Sequence, residues 1–116
     1  MIKKIEKNLI IGSVQFTKKY GFNKKKVPLN EIKKILKFLY KQKIDYIDEA
    51  IDYNFLKYIS DKKLDISKKK IITKIPSIKN EKEFRNLTNI LRSSLSRNKK
   101  NSYYAILLND TINITK

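Results

Sequence analysis

A chain of 116 residues with a formal net charge of +17 is sized for one domain, with enough length to bury a core. It contains no Cys and no His, which excludes disulfides, thiolate chemistry, Ser-His-Asp triads and His-based metal sites. Gly12 and Gly21 are its only glycines, too few for a Rossmann or P-loop fingerprint. The apolar run from Leu9 to Val14 reads as a short buried strand. Lys3, Lys4 and Lys7 precede it, but the run is too short for a signal peptide or membrane span, so a cytoplasmic product is expected. Residues 17 to 28 are a polar loop with Gly21 and Pro28. From Asn30 to Gln42, Ile32, Ile35, Leu36, Leu39 and Tyr40 recur at helical spacing and predict an amphipathic helix. Ile44 to Asp48 reads as the second strand, and Asn54 to Ser60 as a short helix with Phe55, Leu56 and Ile59 apolar. Lys70 to Lys74 reads as the third strand, with Pro76 in the loop beyond it. Asn80, with Glu83 three positions on, resembles a capping box that opens a helix carrying Phe84, Leu87, Leu91 and Leu95 on one face. Tyr103 to Leu108 reads as the fourth strand. Strands alternating with helices predict an α/β fold with a parallel sheet in a single domain spanning 1–116.

Four polar residues stand at or just past predicted strand ends: Asp48, Tyr53, Lys74 and Asn109. In a parallel α/β barrel the C-terminal strand ends converge on one face, so residues distant in sequence meet there. A phenol beside an ammonium has its pKa lowered, and a carboxylate can hold that ammonium in place. A Tyr, a Lys and an Asp together therefore make a proton donor suited to carbonyl reduction. Each residue has a plainer reading alone. Asp48 could be a loop carboxylate, Tyr53 a packing aromatic and Asn109 a turn residue, while Lys74 is one of 25 lysines. Glu49 and Asp52 put extra negative charge beside Tyr53, opposing the effect of Lys74.

The surroundings of these four resemble the aldo-keto reductase family. Leu9-Ile10-Ile11-Gly12-Ser13-Val14-Gln15-Phe16, followed by Tyr20-Gly21, looks like the family's first strand and loop. Ile44-Asp45-Tyr46-Ile47-Asp48-Glu49-Ala50 with Tyr53 resembles its G-x-x-x-D-T-A-x-x-Y stretch, and Ile71-Ile72-Thr73-Lys74 its third strand with the catalytic Lys. Leu91 to Arg97, followed by Tyr104 to Asp110, looks like helix 3 and strand 4. The chain departs from the pattern at Glu49, where Thr is usual, at Asn54, where Gly commonly follows the Tyr, and at Asn109, where the family has His.

The resemblance implies the N-terminal half of a (β/α)₈ TIM barrel, about four parallel βα units of a fold that needs about 250 residues. It implies an oxidoreductase by ancestry, reducing an aldehyde or ketone with NAD(P)H. Tyr53 would protonate the carbonyl oxygen, Lys74 and Asp48 would tune Tyr53, and Asn109 would orient the carbonyl. NADPH is the implied cofactor and a small carbonyl compound the implied partner. The family's phosphate and nicotinamide contacts come largely from its second half, so this chain is expected to be truncated and inactive alone. The alternative is a non-catalytic half-barrel remnant or interaction module, self-associating through open barrel edges.

The charge suggests a polyanion partner, but 25 of the 28 basic residues are Lys, spread along the chain beside abundant Ile and Asn. An A/T-rich codon bias accounts for that pattern. Neither a specific nucleic-acid site nor a membrane surface is expected, only salt-sensitive nonspecific affinity for polyanions.

Overall fold

The computed structural model describes residues 9–19 and 24–108. Four strands, β1 (Ile10–Gly12), β2 (Tyr46–Asp48), β3 (Lys70–Ile75) and β4 (Ala105–Leu108), form one sheet in the order β1-β2-β3-β4. Every neighbouring pair is parallel, so the fold is α/β, as the alternation predicts. Helices α1 (Val14–Thr17), α2 (Leu29–Lys41), α3 (Phe55–Asp61) and α4 (Glu81–Arg97) run between the strands, with a 3₁₀ turn at Ile51–Tyr53.

The register sorts the strand side chains onto two faces, because residues paired across a parallel ladder point the same way. Ile11, Ile47 and Ile71 form one row, joined on that face by Thr73 and Ile75. Ile47 and Ile71 pack into one apolar cluster with Ile32, Leu36 and Leu39 of α2 and with Phe55, Leu56 and Ile59 of α3. That face is the helix-covered one. The other face carries Ile10, Gly12, Tyr46, Asp48, Lys70, Ile72, Lys74, Ala105 and Leu107. No helix covers this open face among the described residues, and Tyr46 and Tyr104 meet edge-on over it with ring centroids 4.9 Å apart.

The second and fourth strands each start two residues later than the sequence reading, and two further elements differ in kind. The first strand stops at Gly12 and the chain turns into α1, whose Phe16 is buried against Phe55, ring centroids 5.7 Å apart. Val14 therefore belongs to a helix, although its β-branched side chain favours strands. In α4 the predicted apolar face is only partly covered. Leu87 is buried, Leu91 and Leu95 are half-buried, and Phe84 stands exposed with Ile90. The capping box is present in modified form. Asn80 accepts from the Glu83 N–H at 2.9 Å, and Glu83 reaches back to the Lys79 N–H at 2.8 Å rather than to that of Asn80.

Candidate functional site

Asp48 ends β2 and Lys74 sits one residue before the end of β3. Asp48 is paired with Ile72 in the ladder, so Lys74, two residues on, lies diagonally beside it on the same open face. The Lys74 ammonium donates to both oxygens of the Asp48 carboxylate, at 2.6 and 2.8 Å. Each side chain is about a third exposed, 30% for Lys74 and 35% for Asp48. The Asp48 backbone is fixed from the other side. Its carbonyl accepts from the Ser13 hydroxyl at 2.8 Å and from the Ser13 N–H at 3.0 Å, and Ser13 is fully buried. The next N–H, of Glu49, donates to Ile72 at 2.8 Å, which locks the loop to β3. An ion pair thus stands at the C-terminal edge of the sheet on a rigid base.

Tyr53 lies in the 3₁₀ turn that follows this edge, half-buried against the apolar cluster. Its carbonyl accepts from the Thr17 hydroxyl. Among the described residues no hydrogen bond links the Tyr53 hydroxyl to Lys74 or Asp48. The structure therefore joins two of the four residues singled out from sequence. Asn109 lies outside the described residues, as do Tyr20 and Gly21. Asn54 takes the left-handed conformation, φ 54°, between the turn and α3. Asn is one of the few residues that accept this backbone, so it can stand where the resembled pattern has Gly.

Glu49 points the other way along the chain's alternation and is 2% exposed. Burial pushes its carboxyl up to about 7, with Asp48 adding to the rise and Thr73 and Lys74 pulling against it. The buried Thr73 hydroxyl beside it makes no hydrogen bond of ordinary geometry. Burial likewise pushes the Tyr103 phenol up to about 12.

Two lysines with no signal in the sequence turn out to be clips that donate to several carbonyls, Lys69 buried and Lys100 half-buried. Lys69, its side chain 2% exposed, donates to the carbonyls of Ile44 at 2.7 Å and Leu39 at 3.3 Å, and lies 4.2 Å from the Tyr40 ring centroid. Lys100 donates to the carbonyls of Ser67 at 3.0 Å, Ile66 at 3.3 Å and Lys69. Both tie the chain together at the opposite, N-terminal edge of the sheet. They are structural clips, far in topology from Asp48 and Lys74.

Cavities lie at Glu49 and Arg97, at Lys63 and Asn98, at Lys68 to Lys70, and at Tyr53 and Lys57, and none of them is lined by Asp48 or Lys74. Among the described residues there is no group of three or more Asp or Glu placed to hold a metal ion, and no helix is long and apolar enough to cross a membrane. No family model, curated protein or solved structure matches the chain.

Proposed function

We propose that this chain is an aldo-keto reductase-like half-barrel, its four βα units corresponding to the N-terminal half of a (β/α)₈ barrel, and that it has no turnover by itself. The observation that carries the reading is the two-pronged Asp48–Lys74 pair at the C-terminal edge of an all-parallel sheet. Catalytic groups of such barrels gather at that edge. The open face, where the pair stands, corresponds to the barrel interior. In this reading Lys74 is held by Asp48 so that its charge can favour the ionised form of a neighbouring phenol, that of Tyr53, once walls exist to bring substrate there. Asn109 offers an amide that can donate to a carbonyl oxygen but cannot exchange a proton. None of the four cavities named above is lined by Asp48 or Lys74, which supports a reading in which the chain is inactive alone.

Two measurements test this. NADPH fluorescence titrated with the chain should show no saturation, and micromolar binding at one-to-one stoichiometry would place the cofactor pocket in this half after all. Mixing the chain with a separately expressed C-terminal half of a reductase barrel should restore NADPH-dependent reduction of an aromatic aldehyde, and K74M or D48N should abolish it. If no mixture turns over, or K74M is as active as the parent, the catalytic ancestry is lost. The second reading, a non-catalytic interaction module, is favoured by β4, where Ile106, Leu107 and Leu108 are all more than 40% exposed.

A further inference from the structure

On the helix side of the molecule, a groove of about 280 Å³ runs between the Ile51–Tyr53 turn, α3 and α4. It sits near the small end of the range for small-molecule sites. Its walls are apolar at Ile51, Phe55 and Ile90, and its charged lining is Glu49, Arg97 and Lys57, the last already paired with Asp61 at 3.0 Å. Neither Glu49 nor Arg97 forms a salt bridge among the described residues. We propose that the groove binds a small zwitterion of the α-amino acid class, with its ammonium on Glu49, its carboxylate on Arg97 and an apolar side chain against Phe55 and Ile90.

The placement of the two charges carries this assignment. Glu49, at the end of the sheet, and Ser94, on α4, line the same groove from opposite sides. Arg97 is three residues past Ser94 on the same helix, about 4.5 Å further along the axis. Residues at that spacing share a face, and Arg97 lines the groove together with Ser93 and Ser94. Opposite charges that line one groove without pairing with each other offer a zwitterion one contact at each end.

Glu49 is buried deeply enough to be selective. An unpaired carboxylate there is costly, and an arriving ammonium compensates it, whereas an uncharged ligand does not. The other charged or titratable groups that face Glu49 are Asp48 and Lys74 from the sheet and Tyr103 ahead of β4. Asp48 and Lys74 already neutralise each other, so the compensation is left to the groove. This site is separate from the one under the proposed function and stands whether or not that reading survives.

Calorimetric titration of the 116-residue chain with leucine and with phenylalanine tests it, beside N-acetylleucine and leucinamide, which each lack one of the two charges. Saturable one-site binding of the free amino acids is expected. Each analogue should bind weaker by about tenfold or more, the loss that goes with one charge-assisted contact. R97Q, on the exposed last turn of α4, should cost leucine a similar factor while leaving leucinamide unaffected. E49Q should do the converse, costing leucine while leaving N-acetylleucine unaffected, with folding checked by circular dichroism. Should E49Q fail to fold, the analogues and R97Q still decide. No saturable binding by the folded chain, or equal binding of leucine and both analogues, would overturn the assignment.

Discussion

Glu49 makes the fold pH-sensitive in a direction opposite to ordinary acid denaturation. Its carboxyl titrates near 4.5 when unfolded and is pushed up to about 7 in the fold. The folded state therefore holds this proton more tightly, so the contribution of Glu49 to stability is fully present below pH 4.5 and is lost as pH rises through about 7, beyond which it levels off. The chain has no His, which leaves few groups to obscure this window. Urea unfolding at both ends of it should show the wild type losing about 3 kcal/mol relative to E49Q on going from acid to neutral pH. A wild-type profile parallel to that of E49Q would refute the shift. The Asp48–Lys74 pair is a different case. Both side chains are about a third exposed, so solvent screens them, and the two-pronged geometry should yield a coupling of only about 1 kcal/mol in a D48N/K74M double-mutant cycle. Both members were legible because each polar residue closes an apolar run, which fixes its place at a strand end. The direction of the Tyr53 hydroxyl was not legible, because it depends on how the 51–53 turn packs on the core. Glu49 could have been read from period-2 alternation alone, since the residue after Asp48 must face the helices.

At the level of elements, α4 depends on its cap. Asn80 satisfies the Glu83 N–H, so N80A should cost about 1 kcal/mol, measurable as a lowered urea midpoint with an unchanged slope. The Asn80 and Glu83 spacing announced this helix start, and the apolar spacing of α2 announced that helix to within a residue at each end. β1 was less legible, because six apolar or small residues in a row look alike whether they extend or coil. What ended the strand is Ser13, whose hydroxyl and N–H both bond to the Asp48 carbonyl. The lysine clips were not legible at all. In a chain with 25 lysines, nothing about Lys69 or Lys100 marks them as clips. Yet K100M would leave the carbonyls of Ile66, Ser67 and Lys69 without this donor, and should destabilise the fold by about 2 kcal/mol. A loss below a few tenths of a kcal/mol would mean that water replaces the ammonium without penalty.

For the whole molecule, alternation of strands and helices was enough to predict a four-stranded parallel sheet, but not which apolar residues occupy its open face. Ile11 and Ile47 point to the helices and Val14 has left the sheet, while Ile72 stays on the open side. A one-residue change of strand phase exchanges the two faces, and short strands fix that phase only through packing. What the open face lacks in isoleucine it regains at the edges. Leu9 and Ile10 are 41% and 52% exposed at the β1 edge, and Ile106, Leu107 and Leu108 are 46%, 46% and 42% exposed at the β4 edge. Among the described residues neither edge strand has a partner on its outer side, and unpaired parallel edges template association with other chains. Opposing this is a net charge of +17, which repels a second copy over distances set by salt. The Debye length falls from about 10 Å at 0.1 M to about 3 Å at 1 M, so added salt removes the repulsion while leaving the apolar edges intact. Light scattering across such a series should therefore show molar mass rising with ionic strength. The double variant I106K/L107E, which places charge on both sides of the β4 edge, should hold the chain monomeric at every salt concentration. A parent chain that stays a monodisperse monomer from low to high salt would show that charge is not what keeps these edges apart.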